Sequence, residues 1–119
     1  MPASISQFPA LSEFLHTEVD SGVELGTLEP GTAFDVRTGN SVYHLVVVDA
    51  DRALVAIQGG RVFPRETVVR LNGSTTGGNM LKMGWIGVGF CLDITAGERR
   101  VVTSPVHAIN LDVGNARVN

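Results

Sequence analysis

The sequence predicts an all-β fold: a small antiparallel β-barrel or strongly bent sandwich of about seven strands, preceded by one short helix. From Leu28 onward, short segments of alternating apolar residues are separated by turns rich in glycine, proline and aspartate, and no crossover helix fits between them. With 119 residues, the chain has the size of one domain. We divide it into an N-terminal helical lid or extension (1–27), a barrel domain (28–113) and a frayed tail (114–119).

The N-terminal segment differs from the rest of the chain in its periodicity. Apolar residues recur at helical spacing behind Pro9, a residue suited to a first helical turn: Leu11, Phe14, Leu15 and Val19. This spacing predicts an amphipathic helix from about Pro9 to Glu18. A short helix gains most of its stability from packing, so it would either cover an open end of the barrel or dock a second copy of the chain.

Alternation and turn residues predict seven strands, at about 32–37, 41–49, 53–58, 61–71, 86–94, 99–104 and 106–113. Both faces of the segment from Ser41 to Asp49 are largely apolar, which indicates a central strand. Pro64 cannot donate a ladder hydrogen bond, so its strand should be an edge strand or be bulged near Phe63 and Pro64. The unbroken alternation from Ile86 to Ile94 predicts one continuous strand.

The segment from Asn72 to Gly89 is the most unusual part of the chain. It holds six glycines, the only tryptophan and the only lysine, and we interpret it as a wide loop that leads into a strand. Its large side chains would either plug the barrel or stay exposed as a contact surface. The leading hypothesis is a non-enzymatic protein-binding or self-assembly module that uses this segment. The candidate interface residues are Met80, Leu81, Lys82, Met83 and Trp85.

A barrel that binds single-stranded nucleic acid or a small ligand is the first alternative. The basic residues available for phosphate or another anion are Arg61, Arg65, Arg70 and Lys82, with Phe63 and Trp85 as stacking residues. The formal net charge of −3 and the single lysine argue against a nucleic-acid partner, because proteins that grip phosphate backbones are usually basic. A charged fraction of 18% is low for a globular domain and favours a homo-oligomer or another protein partner.

An unrecognised enzyme is the third alternative, and the sequence names no catalytic residue for it. Glycine-rich stretches lack the lysine of a phosphate-binding loop and the third glycine of a dinucleotide fingerprint, so we expect no cofactor. The three histidines and Cys91 do not show metal-ligand spacing, so we expect no metal. The arrangement that would indicate an enzyme is a cleft that holds a histidine beside a carboxylate. The candidates are His44 or His107 with Asp35, Asp93 or Asp112.

Composition also bears on location. A single cysteine cannot form an internal disulfide, and the first residues lack the basic and apolar pattern of a signal peptide. The longest apolar run is far too short to cross a bilayer. We therefore expect a cytoplasmic protein without a membrane partner.

Two segments invite comparison with other proteins. The segments from Thr38 to Tyr43 (TGNSVY) and from Val102 to Val106 (VTSPV) resemble pieces that recur in short, uncharacterised bacterial proteins expected to be small β-barrels. The resemblance covers about a third of the chain. It implies the barrel fold and no particular activity.

Overall fold

The computed structural model describes residues 16–19, 21–76 and 80–112, with the backbone alone described for 16–18. These residues form ten strands and two short 3₁₀ turns, η1 (Leu25–Thr27) and η2 (Ala50–Arg52). The strands are β1 (His16–Val19), β2 (Gly22–Glu24), β3 (Ala33–Thr38), β4 (Val42–Asp49), β5 (Leu54–Gly59), β6 (Phe63–Thr75), β7 (Leu81–Met83), β8 (Trp85–Gly87), β9 (Cys91–Ala96) and β10 (Arg99–Asp112).

Eight of the strands form one antiparallel sheet. Its order is β1-β10-β3-β4-β5-β6-β7, and β9 pairs with both β10 and β6. Strands β2 and β8 pair separately. The prediction of an antiparallel all-β fold is therefore confirmed. Because β9 joins β6 to β10, the pairing can be followed from β3 through β4, β5, β6, β9 and β10 back to β3.

The core lies on one face of these strands. Along β4, Tyr43, Leu45 and Val47 are buried, whereas Val42 and Val48 are exposed by 55% and 44%. Strand β4 does lie between β3 and β5, as its apolar character predicted. Its second apolar face nevertheless stays open to solvent. Valine is frequent in strands because it suits the pleated backbone, so a face that carries three valines beside His44 does not by itself require burial.

The prediction of a helix from Pro9 to Glu18 is wrong for residues 16–18. Residues 16–18 belong to strand β1, which pairs with β10 in the register His16↔Asp112 and Glu18↔Asn110. The remaining residues of the predicted helix, 9–15, lie outside the described part of the chain. The edge of β10 offers backbone donors and acceptors to this segment, and such tertiary pairing overrides a weak helical spacing.

The bulge predicted near Phe63 and Pro64 is confirmed. Ile57 pairs with Thr67 and Gly59 pairs with Phe63, so one residue of β5 faces the three residues 64–66 of β6. The side-chain amide of Gln58 donates to the carbonyl oxygen of Pro64 at 3.4 Å. The extra residues accommodate a proline that cannot donate to the ladder, and they bend the sheet.

The strand predicted from 86 to 94 is interrupted. Strand β8 ends at Gly87, the amide of Phe90 donates to the carbonyl of Gly87 at 3.2 Å, and Gly89 adopts a φ of +93°. The turn does not disturb the alternation of apolar residues in the sequence, because Ile86 before it and Leu92 after it are both fully buried. In contrast, the two strands predicted on either side of Pro105 form the single strand β10, with shifts of register around that proline.

A buried carboxylate ties β6, β9 and β10 together. The Asp93 side chain is only 2% exposed and accepts hydrogen bonds from Asn72 Nδ2 at 3.1 Å, from Arg100 Nε at 3.0 Å and from Arg100 Nη2. Asn72 Nδ2 also donates to Thr95 Oγ1 at 2.9 Å. The hydrogen bonds from Arg100 hold the pKa of Asp93 below its ordinary value of 3.8, against the opposing effect of burial.

This cluster predicts acid sensitivity. A depressed pKa in the folded state contributes stability that is complete above pH 3.8 and is lost as the pH falls through the folded-state value. We expect Asp93→Asn to lower the free energy of unfolding at pH 7 by about 1–3 kcal/mol, because charged hydrogen bonds are lost. We also expect this variant to lose stability less steeply below pH 4.

Urea unfolding between pH 7 and pH 2, followed by circular dichroism, measures both effects. Glu66→Gln is the matched control, because Glu66 is an exposed carboxylate on β6. An Asp93→Asn variant as stable as the parent, with the same acid profile, would contradict the assignment.

Candidate functional site

The glycine-rich segment is built of strands. Asn72 to Thr75 complete β6, and β7 turns back to pair with them in the register Gly73↔Met83, Ser74↔Lys82 and Thr75↔Leu81. The interpretation of 72–89 as a wide loop is therefore wrong for most of its described length. Gly73 has a φ of +147°, and a Cβ there would overlap the carbonyl of Lys82. This glycine permits the close approach of two backbones.

Ser74 fixes β8 across β6. Its hydroxyl is buried, donates to the Trp85 carbonyl at 2.7 Å and accepts from the Gly87 amide at 2.9 Å. The amide of Gly84 donates to the carbonyl of Asn72 at 2.9 Å just before this crossing. The chain therefore leaves β7 in a fixed direction. That direction determines where the Trp85 side chain lies.

The indole of Trp85 packs against two glycines. Gly22 on β2 pairs directly with Gly87 on β8, and a Cβ at either position would overlap the indole ring. The indole is half-buried, so it is neither a sealed plug nor a fully exposed residue. Aromatic coverage of glycine backbone in a strand pair is a known way to stabilise such a pair. Gly22 and Gly87 act together because β2 and β8 are adjacent.

Two further side chains surround the indole. The ring of Phe90 meets it edge-on, with centroids 5.5 Å apart and an interplanar angle of 66°. Lys82 Nζ lies 4.3 Å from the centroid of the Trp85 ring, a cation–π contact. Alternation in the sequence predicts a continuous strand through Phe90. The turn marked by Gly87 and Gly89 interrupts that strand, and this turn places Phe90 beside Trp85.

These side chains line a small apolar cleft. Its volume is about 230 Å³, and its lining residues are Ser74, Thr75, Thr76, Met80, Leu81, Lys82, Trp85 and Phe90. Met80, Leu81 and Met83 are exposed by 73%, 44% and 77%. The structure thus brings four of the five candidate interface residues to one cleft. Met83 lies beside a neighbouring cleft of about 550 Å³ that also includes Arg70. We call Met80, Leu81, Lys82, Met83 and Trp85 the β7 surface.

The four basic candidates do not converge. Arg61 lines a cleft at the start of β6, Arg70 lines the cleft beside Met83, and Lys82 covers Trp85. Arg65 is exposed near the β6 bulge and lines none of these three clefts. A groove that tracks a nucleic-acid backbone needs adjacent cations. These four residues do not share one of the three clefts.

A histidine and a carboxylate do meet on the sheet. His44 Nδ1 and Asp35 Oδ1 are hydrogen-bonded across β3 and β4, with side chains exposed by 75% and 38%. Neither residue lines any of the three clefts described here. The two side chains are therefore close enough for an acid–base site, but these clefts do not enclose them. Within the described residues, no three potential metal ligands cluster, and no helix has the length and apolar character to span a membrane.

The packing of the indole on Gly22 and Gly87 predicts the effects of two matched substitutions. Gly87→Ala should displace the indole, lower the free energy of unfolding by about 1–3 kcal/mol through overpacking, and shift the tryptophan emission to longer wavelength. Gly26→Ala is the control, because no atom lies within 4 Å of a Cβ placed there. Emission spectra and urea unfolding measure both effects, since Trp85 is the only tryptophan. An unchanged spectrum in Gly87→Ala would contradict this placement of the ring.

No protein-family model, no curated protein and no solved structure matches this chain. The resemblance of the TGNSVY and VTSPV segments to small bacterial barrels therefore stays a prediction from sequence.

Proposed function

We propose that this chain is a non-enzymatic protein-binding module and that the β7 surface contacts a strand of another polypeptide. The observation that carries the proposal is the exposure of three large apolar side chains on one short strand and the residue before it: Met80 and Leu81, which line the apolar cleft, and Met83, which lines the neighbouring one. Clustered apolar exposure of this kind is typical of protein interaction sites, where methionine and tryptophan are enriched. The cleft would take an apolar side chain of the partner.

The pairing of β7 supports strand addition. Strand β7 is the last in the order of its sheet and, within the described residues, pairs only with β6. Among the described strands none pairs with its other edge, whose backbone donors and acceptors would be offered to an extended segment. Strand addition at such an edge gives affinity through main-chain hydrogen bonds and specificity through pockets for alternate side chains.

Lys82 favours a heterologous partner over a second copy. It occupies the middle of the three-residue strand β7. Antiparallel pairing of β7 with itself about a twofold axis at this residue would place two ammonium groups side by side, and like charges directly opposite destabilise a strand pair. A partner strand with Asp or Glu opposite Lys82 has the complementary charge. Self-assembly is the alternative that the experiment separates.

The closed circuit of strand pairing supports the barrel form of the fold. We infer that β3, β4, β5, β6, β9 and β10 close into a small barrel, because each pairs with two others of the six. Closure removes sheet edges. In that arrangement β7 lies outside the barrel, which accounts for its having β6 as its one partner among the strands that the structure describes.

Selection from a displayed library of random peptides on the intact chain tests the proposal. We expect enriched peptides with alternating apolar residues and an acidic residue, and a blue shift of Trp85 emission on binding. The double variant Met80→Ser, Met83→Ser should weaken binding about tenfold or more, because burial of two apolar side chains is lost. Val68→Ser is the control, since Val68 is 57% exposed on β6 outside the β7 surface.

Equal binding to the double variant, or no enrichment at all, would contradict the proposal. Sedimentation velocity shows whether the partner at the β7 surface is a second copy of this chain. A dimer that the double variant dissociates would make the partner a second copy of this chain. A monomer that binds the selected peptides supports the heterologous partner.

A further inference from the structure

A second site lies at the opposite end of β6 from the β7 surface. An open cleft of about 670 Å³ is bounded by the turn between β3 and β4, the turn between β5 and β6, and residues 101–104 of β10. Among the described residues that line it, Arg61 is the only charged one. Its other polar side chains are Asn40, Ser41, Tyr43, Thr103 and Ser104. The cleft therefore carries positive charge and several hydroxyl groups.

Tyr43 supplies the observation that points to a ligand. The residue is only 7% exposed, and its ring packs edge-on against Phe63 with centroids 6.5 Å apart. No group in the described part of the chain hydrogen-bonds its hydroxyl, and since no fully buried side-chain polar atom there lacks a partner, this hydroxyl is not fully buried. A tyrosine buried to this degree usually has a hydrogen-bond partner. The Tyr43 hydroxyl therefore opens into the cleft that the residue lines.

The rim of the cleft is held rigidly. The Thr38 hydroxyl accepts hydrogen bonds from the amides of Asn40 at 3.3 Å and Ser41 at 3.1 Å, and the Thr38 amide donates to the Ser41 carbonyl at 2.8 Å. Gly60 has a φ of +63°, and a Cβ there would lie 3.0 Å from Ser41 Oγ and 3.2 Å from Tyr43 Oη. The two turns are thus in close contact. A polar site with fixed geometry binds at a lower entropic cost.

We propose that this cleft binds a small organic anion, a carboxylate or phosphate with an apolar body. The Arg61 guanidinium and the hydroxyls of Ser41 and Tyr43 would donate hydrogen bonds to the anionic head, since guanidinium is well suited to both groups. The apolar body would lie on Val62 and Val102, each exposed by 40% at the cleft. A few convergent polar groups with apolar walls are typical of small-molecule sites.

This site is independent of the proposed protein contact. None of its lining residues belongs to the β7 surface. Arg61 and Val62 precede β6, whereas β7 pairs with the last three residues of that strand. Either site can therefore fail its test without consequence for the other.

Titration of the ¹⁵N-labelled full chain with benzoate, phenyl phosphate, inorganic phosphate and benzamide tests the proposal. We expect saturable shifts of the amides of Asn40, Ser41, Gly60 and Arg61 with benzoate or phenyl phosphate. The tighter of these two probes identifies the anionic head. Inorganic phosphate, which lacks the apolar body, and benzamide, which lacks the charge, should each bind at least tenfold more weakly.

Three variants assign the contacts. Arg61→Gln should weaken binding about 10- to 100-fold, the range expected for a charged hydrogen bond. Tyr43→Phe should weaken it about 3- to 10-fold with little change in the urea midpoint, because its hydroxyl bonds no described protein group. Arg65→Gln, which removes an exposed charge on β6 that does not line the cleft, should bind like the parent.

Absence of saturable shifts with both organic anions would overturn the proposal. So would equal binding by Arg61→Gln and Arg65→Gln, or binding of benzamide as tight as that of benzoate. Retained affinity in Tyr43→Phe would remove the hydroxyl from the site and with it the observation on which the proposal rests.

Discussion

The crossing of β8 over β6 at Ser74 is the contact on which the arrangement of the β7 surface depends. One buried hydroxyl donates to the carbonyl of Trp85 and accepts from the amide of Gly87, so it satisfies two backbone groups of a strand whose ladder partner within the described segments is β2. A buried backbone group left without a partner costs about 1–3 kcal/mol. Through this one side chain, the direction of β8 and the position of the indole are set.

The two candidate sites differ in chemistry as well as in position. At the end of β6, an indole, a phenyl ring, Leu81 and the exposed Met80 surround a cleft with little polar character, and a single lysine provides its charge. At the start of β6, hydroxyls and an arginine line a larger cleft. The first suits an extended apolar segment, and the second suits a small charged molecule. One long strand, bent by the bulge after Phe63, separates them.

The carboxylates of Asp93 and Asp35 differ in their surroundings, since one is buried in the fold and the other lies on its surface. Asp93 is buried and is compensated by Arg100 and Asn72, so it serves the junction of three strands. Asp35 and His44 lie on the open face of β3 and β4, where solvent screens their interaction. A buried carboxylate that lost its partner would destabilise the fold, whereas loss of a surface pair has a small effect. The cluster at Asp93 is therefore structural.

The sequence alone determined the all-β class, the antiparallel pairing, the central position of β4 and the bulge at Pro64, because alternation and proline geometry are properties of neighbouring residues. It also named the residues of the β7 surface by their size and their glycine-rich setting. Only the tertiary structure decided that residues 16–19 form a strand, that the segment of glycines is strand rather than loop, and that Gly22 and Gly87 support Trp85. The reason is physical. Gly22 and Gly73 leave room for Trp85 and Lys82, and only the pairing of strands distant in the chain brings those residues there.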